Sequence, residues 1–69
     1  EKIKITTSSS VNIRIGPGQS YESIKQVRNG TTGVRILKDT YYADGFCWDL
    51  VILDDGTKGF IVSKYLTVI

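Results

Sequence analysis

The chain has 69 residues, 41% of them hydrophobic, and nine Lys and Arg against seven Asp and Glu give it a formal charge of +2. A chain this short buries only about 60% of its unfolded surface, so one domain around one core is all it can build. Its single cysteine, Cys47, and its lack of histidine exclude disulfide frameworks, Cys/His zinc sites, Ser-His-Asp triads and Cys-His dyads.

Lys2-Ile3-Lys4-Ile5-Thr6 alternates polar and apolar, which predicts a strand with one wet face. Its lysines suit an edge position, where they discourage pairing with other chains. Thr7 to Ser10 is a short polar link, either a connection inside the domain, the favoured reading because Ile3 and Ile5 want a partner surface, or the end of an interdomain linker. Val11, Ile13 and Ile15 then alternate with Asn12 and Arg14, placing three β-branched side chains on one face and two polar ones on the other. Gly16-Pro17-Gly18 ends that strand, since Pro17 has no amide hydrogen for a ladder and the glycines tolerate positive φ. Tyr21 falls inside the resulting excursion, and Ile24 is expected to anchor the chain back in the core.

Arg28-Asn29-Gly30 is a turn signal. Gly33 to Lys38 predicts a strand with Val34 and Ile36 on one face. Asp39 to Gly45 predicts a loop carrying Tyr41 and Tyr42, two adjacent rings that cannot both be core. Phe46 to Leu53 is apolar on both faces and predicts a central strand covered on both sides. Asp54-Asp55-Gly56 is a hairpin turn, after which Thr57 to Val62 pairs back, with Gly59 at a point of close backbone approach or a bulge. Ser63-Lys64-Tyr65 predicts a single helical or 3₁₀ turn, and Leu66 to Ile69 a last strand. Short strands, turn signals and no sustained helical period predict an all-β barrel or a packed pair of sheets.

Basic residues stand singly from Lys2 to Lys64, too evenly for a phosphate-tracking surface, so nucleic acid is not an expected partner. No apolar run approaches the roughly 20 residues of a membrane span and no signal-peptide pattern opens the chain, so a membrane is not expected either. The start at Glu1 without Met suggests a module, residues 1–69, taken from a longer protein. Catalysis finds no support. Asp54 and Asp55 sit where a hairpin favours Asp for backbone reasons. Asp39, Asp44 and Asp49 have no calcium-loop spacing, and Cys47 has no histidine to activate it. Gly16-Pro17-Gly18 is followed by neither a Lys-Ser/Thr pair nor a helix and is no phosphate loop. No catalytic residue, metal site or cofactor is expected.

Three stretches together resemble the bacterial Src-homology-3-like (SH3b) family. The first is Val11 to Gly18 with Tyr21 and Ile24, similar to an opening motif of Asn, apolar, Arg, any residue, Gly-Pro. The second is Gly30 to Leu37, a turn followed by a Val-any-Ile-Leu strand. The third runs from Trp48 through Asp55-Gly56 and Gly59-Phe60-Ile61 to Tyr65-Leu66. The match covers nearly all of the chain from about Ser10. It departs where Phe46-Cys47 separate Gly45 from Trp48, and where Phe60 stands in place of a common Trp. The acidic loop and aromatic ladder of eukaryotic proline-binding SH3 domains are missing, which argues against polyproline reading.

The resemblance implies an SH3-like barrel of five to seven short antiparallel strands with one 3₁₀ turn near the C-terminus. It also implies a non-catalytic, cell-wall-binding module outside the cell or in the bacterial wall, monomeric as an isolated domain and attached to a catalytic domain of the same chain. The ligand it implies is the peptidoglycan stem peptide or cross-bridge, bound beside the loop after the Gly-Pro turn. Such a peptide needs amide-pairing side chains, flat aromatic walls and a cation for a carboxylate. Asn12, Arg14 and Tyr21 fit that need, although Asn12 could instead bond a neighbouring loop and Arg14 be merely solvated. Tyr41 and Tyr42 are candidate contacts, because exposed tyrosine offers area at small entropic cost. Trp48 is either a core ring with a satisfied indole donor or a groove wall. Phe60 and Tyr65 share that ambiguity, with Tyr65 the better groove candidate. A structural or protein–protein interaction module is the alternative reading, and an oligonucleotide-binding barrel a more distant one.

Overall fold

The computed structural model describes residues 1–36 and 40–69. Its elements are β1 (Lys2–Ile5), β2 (Ser10–Arg14), β3 (Ser23–Arg28), β4 (Thr32–Arg35), β5 (Tyr41–Ala43), β6 (Phe46–Leu53), β7 (Lys58–Val62), a 3₁₀ turn (Ser63–Tyr65) and β8 (Leu66–Val68). The all-β expectation and the C-terminal 3₁₀ turn both hold, with eight strands in place of five to seven.

All pairings are antiparallel, in the order β3-β2-β7-β6-β4-β1-β8, with β5 beside β6. The apolar strand β6 is central because it has partners along both edges. It pairs with β7 on one side, and on the other with β5 through its first half and β4 through its second. Although β3 and β4 are consecutive, they do not pair with each other. The sheet coils until the turn between them reaches β1, where the Ile5 amide donates to the Thr31 carbonyl and the Gly30 amide to the Ile5 carbonyl, each at 2.8 Å. The Thr7 amide donates to Asn29 Oδ1 at 3.0 Å and ties down the same corner. Period-two alternation turns Ile3, Ile5, Val11, Ile13, Val27, Val51, Leu53 and Ile61 into one enclosed core. Gly59 faces that core where β2 crosses, and a methyl group there would come within 2.6 Å of Ile13 Cγ2 and 2.7 Å of the Arg14 carbonyl oxygen. The close approach expected at Gly59 is therefore real.

Several expectations change. The extra strand β5 lies within the predicted loop, joined to β6 by a two-residue turn in which Asp44 and Gly45 have φ of 56° and 77°. Positive φ at both positions is the type I′ geometry that an Asp-Gly pair favours, because its twist matches that of a hairpin. Strand β1 is not an edge, since β8 pairs along its free side and β4 along the other. Ile15 lies beyond the end of β2 and is 59% exposed, and Ile24 is 47% exposed. The reason is a register shift between Ile13 and Arg14 against β3, which carries the chain away from the barrel before Ile15 can turn inward. The predicted continuation of β4 through Leu37 and Lys38, and Asp39 after it, lie outside the described residues.

On the outer face of β6 only Trp48 is sealed, whereas Leu50 and Ile52 are half-buried. Registers place Phe60 opposite Leu50 and Val34 opposite Ile52 on that face. Facing inward on β6, Asp49 is 1% exposed. Arg35 Nη1 lies 3.4 Å from its Oδ2, and Thr40 Oγ1 donates to its Oδ1 at 3.3 Å. A buried carboxylate needs such partners, because an unpaired one is costly.

Candidate functional site

The site is built where β2 leaves the sheet. With Val11 and Ile13 committed to the core, Asn12 and Arg14 must point outward, next to β7, where Arg14 pairs in register with Phe60. The loop that follows is closed by Ile15 N to Glu22 O at 3.0 Å, Gly18 N to Gly16 O at 3.0 Å and Tyr21 N to Gly18 O at 3.3 Å. Neither Gly16 nor Gly18 takes positive φ. They are needed for space, since a side chain on Gly16 would overlap the Tyr21 ring and one on Gly18 would meet it at 3.3 Å.

Two clamps hold this loop. Arg14 Nη1 donates to the Tyr21 carbonyl at 2.9 Å. On the far side the Gln19 amide donates to Asp44 Oδ2 at 2.7 Å, so the β5–β6 turn grips the loop tip. Between loop, sheet and 3₁₀ turn lies a cleft of about 170 Å³. Its walls include Asn12 and Arg14 from β2, Gln19 from the loop, Phe46 and Trp48 from β6, and Tyr65 from the 3₁₀ turn. Amide side chains, a guanidinium and aromatic rings thus border one cleft.

The cleft gathers four of the seven residues expected at a site, Asn12, Arg14, Trp48 and Tyr65. Asn12 Oδ1 accepts from the Ser23 hydroxyl at 3.2 Å. Trp48 is a core ring with a satisfied indole donor that also borders the cleft. It is 1% exposed, its Nε1 donates to the Ala43 carbonyl at 3.0 Å, and it still forms part of the cleft wall. Phe46 packs edge-on against it with centroids 6.5 Å apart.

Three tyrosines fall outside the cleft wall. The Tyr21 ring covers Gly16 and Gly18 and props the loop from within. Tyr41 stands edge-on to Phe60, 5.7 Å between centroids. Tyr42 pairs with Cys47 on the opposite side of β5 and is 75% exposed, so at least one of the adjacent rings is indeed outside the core. Sequence reasoning did not single out Gln19, Phe46 or the Asp44 clamp. The Asp44-Gly45 pair was a usable signal for the last of these, because it marks the hairpin that brings Asp44 to the loop.

Elsewhere, Lys25 forms an ion pair with Asp55 across the barrel end. The Lys25 ammonium, and after it the Thr57 amide, hold the Asp55 carboxyl far below the usual carboxylate range. That pair lies outside the cleft wall. Among the described residues, no three carboxylate or thiol side chains come together to hold a metal.

A sequence profile of the bacterial SH3 domain family matches residues 9–67. No curated protein matches the chain.

Proposed function

The chain belongs to the bacterial SH3 domain family, and from that premise we propose that it is a cell-wall-binding module that docks on a peptidoglycan stem peptide or cross-bridge. Domains of this family are small binding modules and generally non-catalytic. On this reading the domain works at the wall by tethering: a weak site holds a linked catalytic domain near its polymeric substrate and raises its effective concentration. The observation that carries the reading is the clamped cleft, which gathers the amide side chains of Asn12 and Gln19 with the rings of Phe46 and Tyr65. Backbone amides of an extended peptide find partners in the side-chain amides and flat apolar contact on the rings.

The test is co-sedimentation with purified cell walls, followed by the same assay on Asn12→Ala and Tyr65→Ala. Wild type should pellet with the walls and both variants should remain largely in the supernatant; Asn12→Ala should keep its melting temperature to within a few degrees, whereas Tyr65→Ala, which also loses packing against the core, is assayed at a temperature where circular dichroism shows it folded. Wild type left in the supernatant would sink the proposal. A second reading, a structural or interaction module, has its own support in the outer face, where Val34 and Ile36 are 38% and 40% exposed beside half-buried Ile52. A spacer of that kind would ignore cell walls and pack this face on a neighbouring domain.

A further inference from the structure

We propose that the cleft selects ligands bearing a carboxylate, seated against the Lys64 ammonium beside the rings of Phe46 and Tyr65. The inference rests on the peptide-binding reading above and adds the charge that the peptide must carry.

Lys64 lies in the 3₁₀ turn, one residue before Tyr65, and is exposed. Its Nζ is 5.4 Å from the Phe46 centroid and 5.2 Å from the Tyr65 centroid, and both rings belong to the cleft wall. Two ring faces hold the ammonium at a defined place by cation–π attraction, which orients the charge without neutralising it. Among the described residues no carboxylate pairs with Lys64; the ion pairs formed are Lys25–Asp55, Arg35–Glu1 and Arg35–Asp49.

The cleft itself offers no counter-charge, since none of its wall residues is acidic. Asp44, the acidic residue on the loop's far side, already accepts from the Gln19 amide. Arg14, the cation of the cleft wall itself, spends one donor on the Tyr21 carbonyl and keeps the others, so Lys64→Gln is the variant that tells the two cations apart. A positioned ammonium with no carboxylate partner among the described residues, next to a cleft whose described wall is free of acids, calls for an anion from the ligand. On an extended peptide the group that supplies one is a carboxylate, terminal or side-chain.

The experiment is a titration of the protein, followed by backbone amide shifts, with the stem tetrapeptide L-alanyl-γ-D-glutamyl-L-lysyl-D-alanine. Companion peptides carry an amide at the terminal carboxylate, at the glutamyl carboxylate, or at both. The expected result is that one of the single amidations weakens binding about three- to fivefold, the range of a partly exposed ion pair. The preference should shrink as salt is raised. Lys64→Gln should bind free and amidated peptides alike, and Lys64→Arg should restore the preference. Equal binding of free and doubly amidated peptides by wild type would overturn the carboxylate assignment and leave the peptide reading standing. A preference that survived in Lys64→Gln would overturn the role of Lys64. Failure of every stem peptide to bind would overturn the carboxylate proposal, and failure of a cross-bridge peptide as well would overturn the peptide-binding reading. A glycerol-phosphate polymer that competed as well as the free peptide would transfer the site to phosphate and also overturn the proposal.

Discussion

Trp48→Phe tests whether the indole is a structural pillar of the cleft. The substitution removes the N–H that reaches the Ala43 carbonyl at 3.0 Å, a loss of about 1 kcal/mol for one such bond. It also replaces a bicyclic ring with a phenyl at a position 1% exposed, and each buried carbon lost costs roughly 0.8 kcal/mol. Together these put the destabilisation at about 2–3 kcal/mol. A domain of 69 residues has about 3–10 kcal/mol in all, so the variant should still fold. Trp48→Ala should be destabilised further, by about 3–5 kcal/mol. The assay is urea unfolding at neutral pH followed by far-UV circular dichroism, because Trp48 is the sole tryptophan and its fluorescence disappears with it. With a slope of about 1 kcal/mol per molar, the midpoint of Trp48→Phe should fall by about 2–3 M. A fall of less than about 0.3 M would refute the pillar argument and make Trp48 a ligand wall with no structural duty.

Gly33→Ala should be destabilising by about 1–3 kcal/mol, because its methyl group would overlap the Ile52 carbonyl oxygen and come within 2.8 Å of Leu53 Cα, both backbone atoms of the central strand; a melting curve unchanged from wild type would contradict the packing. Asp44→Ala removes the acceptor for the Gln19 amide and puts at a φ of 56° a residue without the polar side chain that eases that backbone, and should cost about 1 kcal/mol. Gln19 should then lose amide-exchange protection, whereas Asp44→Asn, which tolerates that φ and keeps an acceptor, should retain it. The lowered Asp55 pKa sets a pH dependence. A depressed carboxylate pKa contributes stability that is fully present above the unfolded value, about 4, and is lost as pH falls below it. The gap in urea midpoint between wild type and Asp55→Asn should therefore hold steady from pH 7 to about pH 4 and close below that. High salt should narrow it at every pH, since both partners are exposed; a gap that widened in acid would contradict the pairing.

Local patterning specified most of the strands. Ile3 and Ile5, Val11 and Ile13, and Val51 and Leu53 alternate with polar or outward-facing neighbours, and a strand with period two has no other way to bury them. The turns at Asn29-Gly30 and Asp54-Asp55-Gly56 were equally legible, because left-handed or tight backbone restricts residue choice at each position. Outward placement of Asn12 and Arg14 followed from the same parity. What alternation does not contain is which strands become neighbours. That β1 is interior to the sheet, that Ile15 escapes the core and that Tyr42 points away while Tyr65 lines the cleft all depend on contacts between residues distant in the chain. The loop clamp from Asp44 to Gln19 spans 25 positions, and the corner from Asn29 to Thr7 spans 22. Sequence thus determined the faces of each strand, since side-chain direction is a local property of the backbone. Only the closed sheet decided the cleft, since its walls meet through the coiling of the barrel and belong to no single stretch of chain.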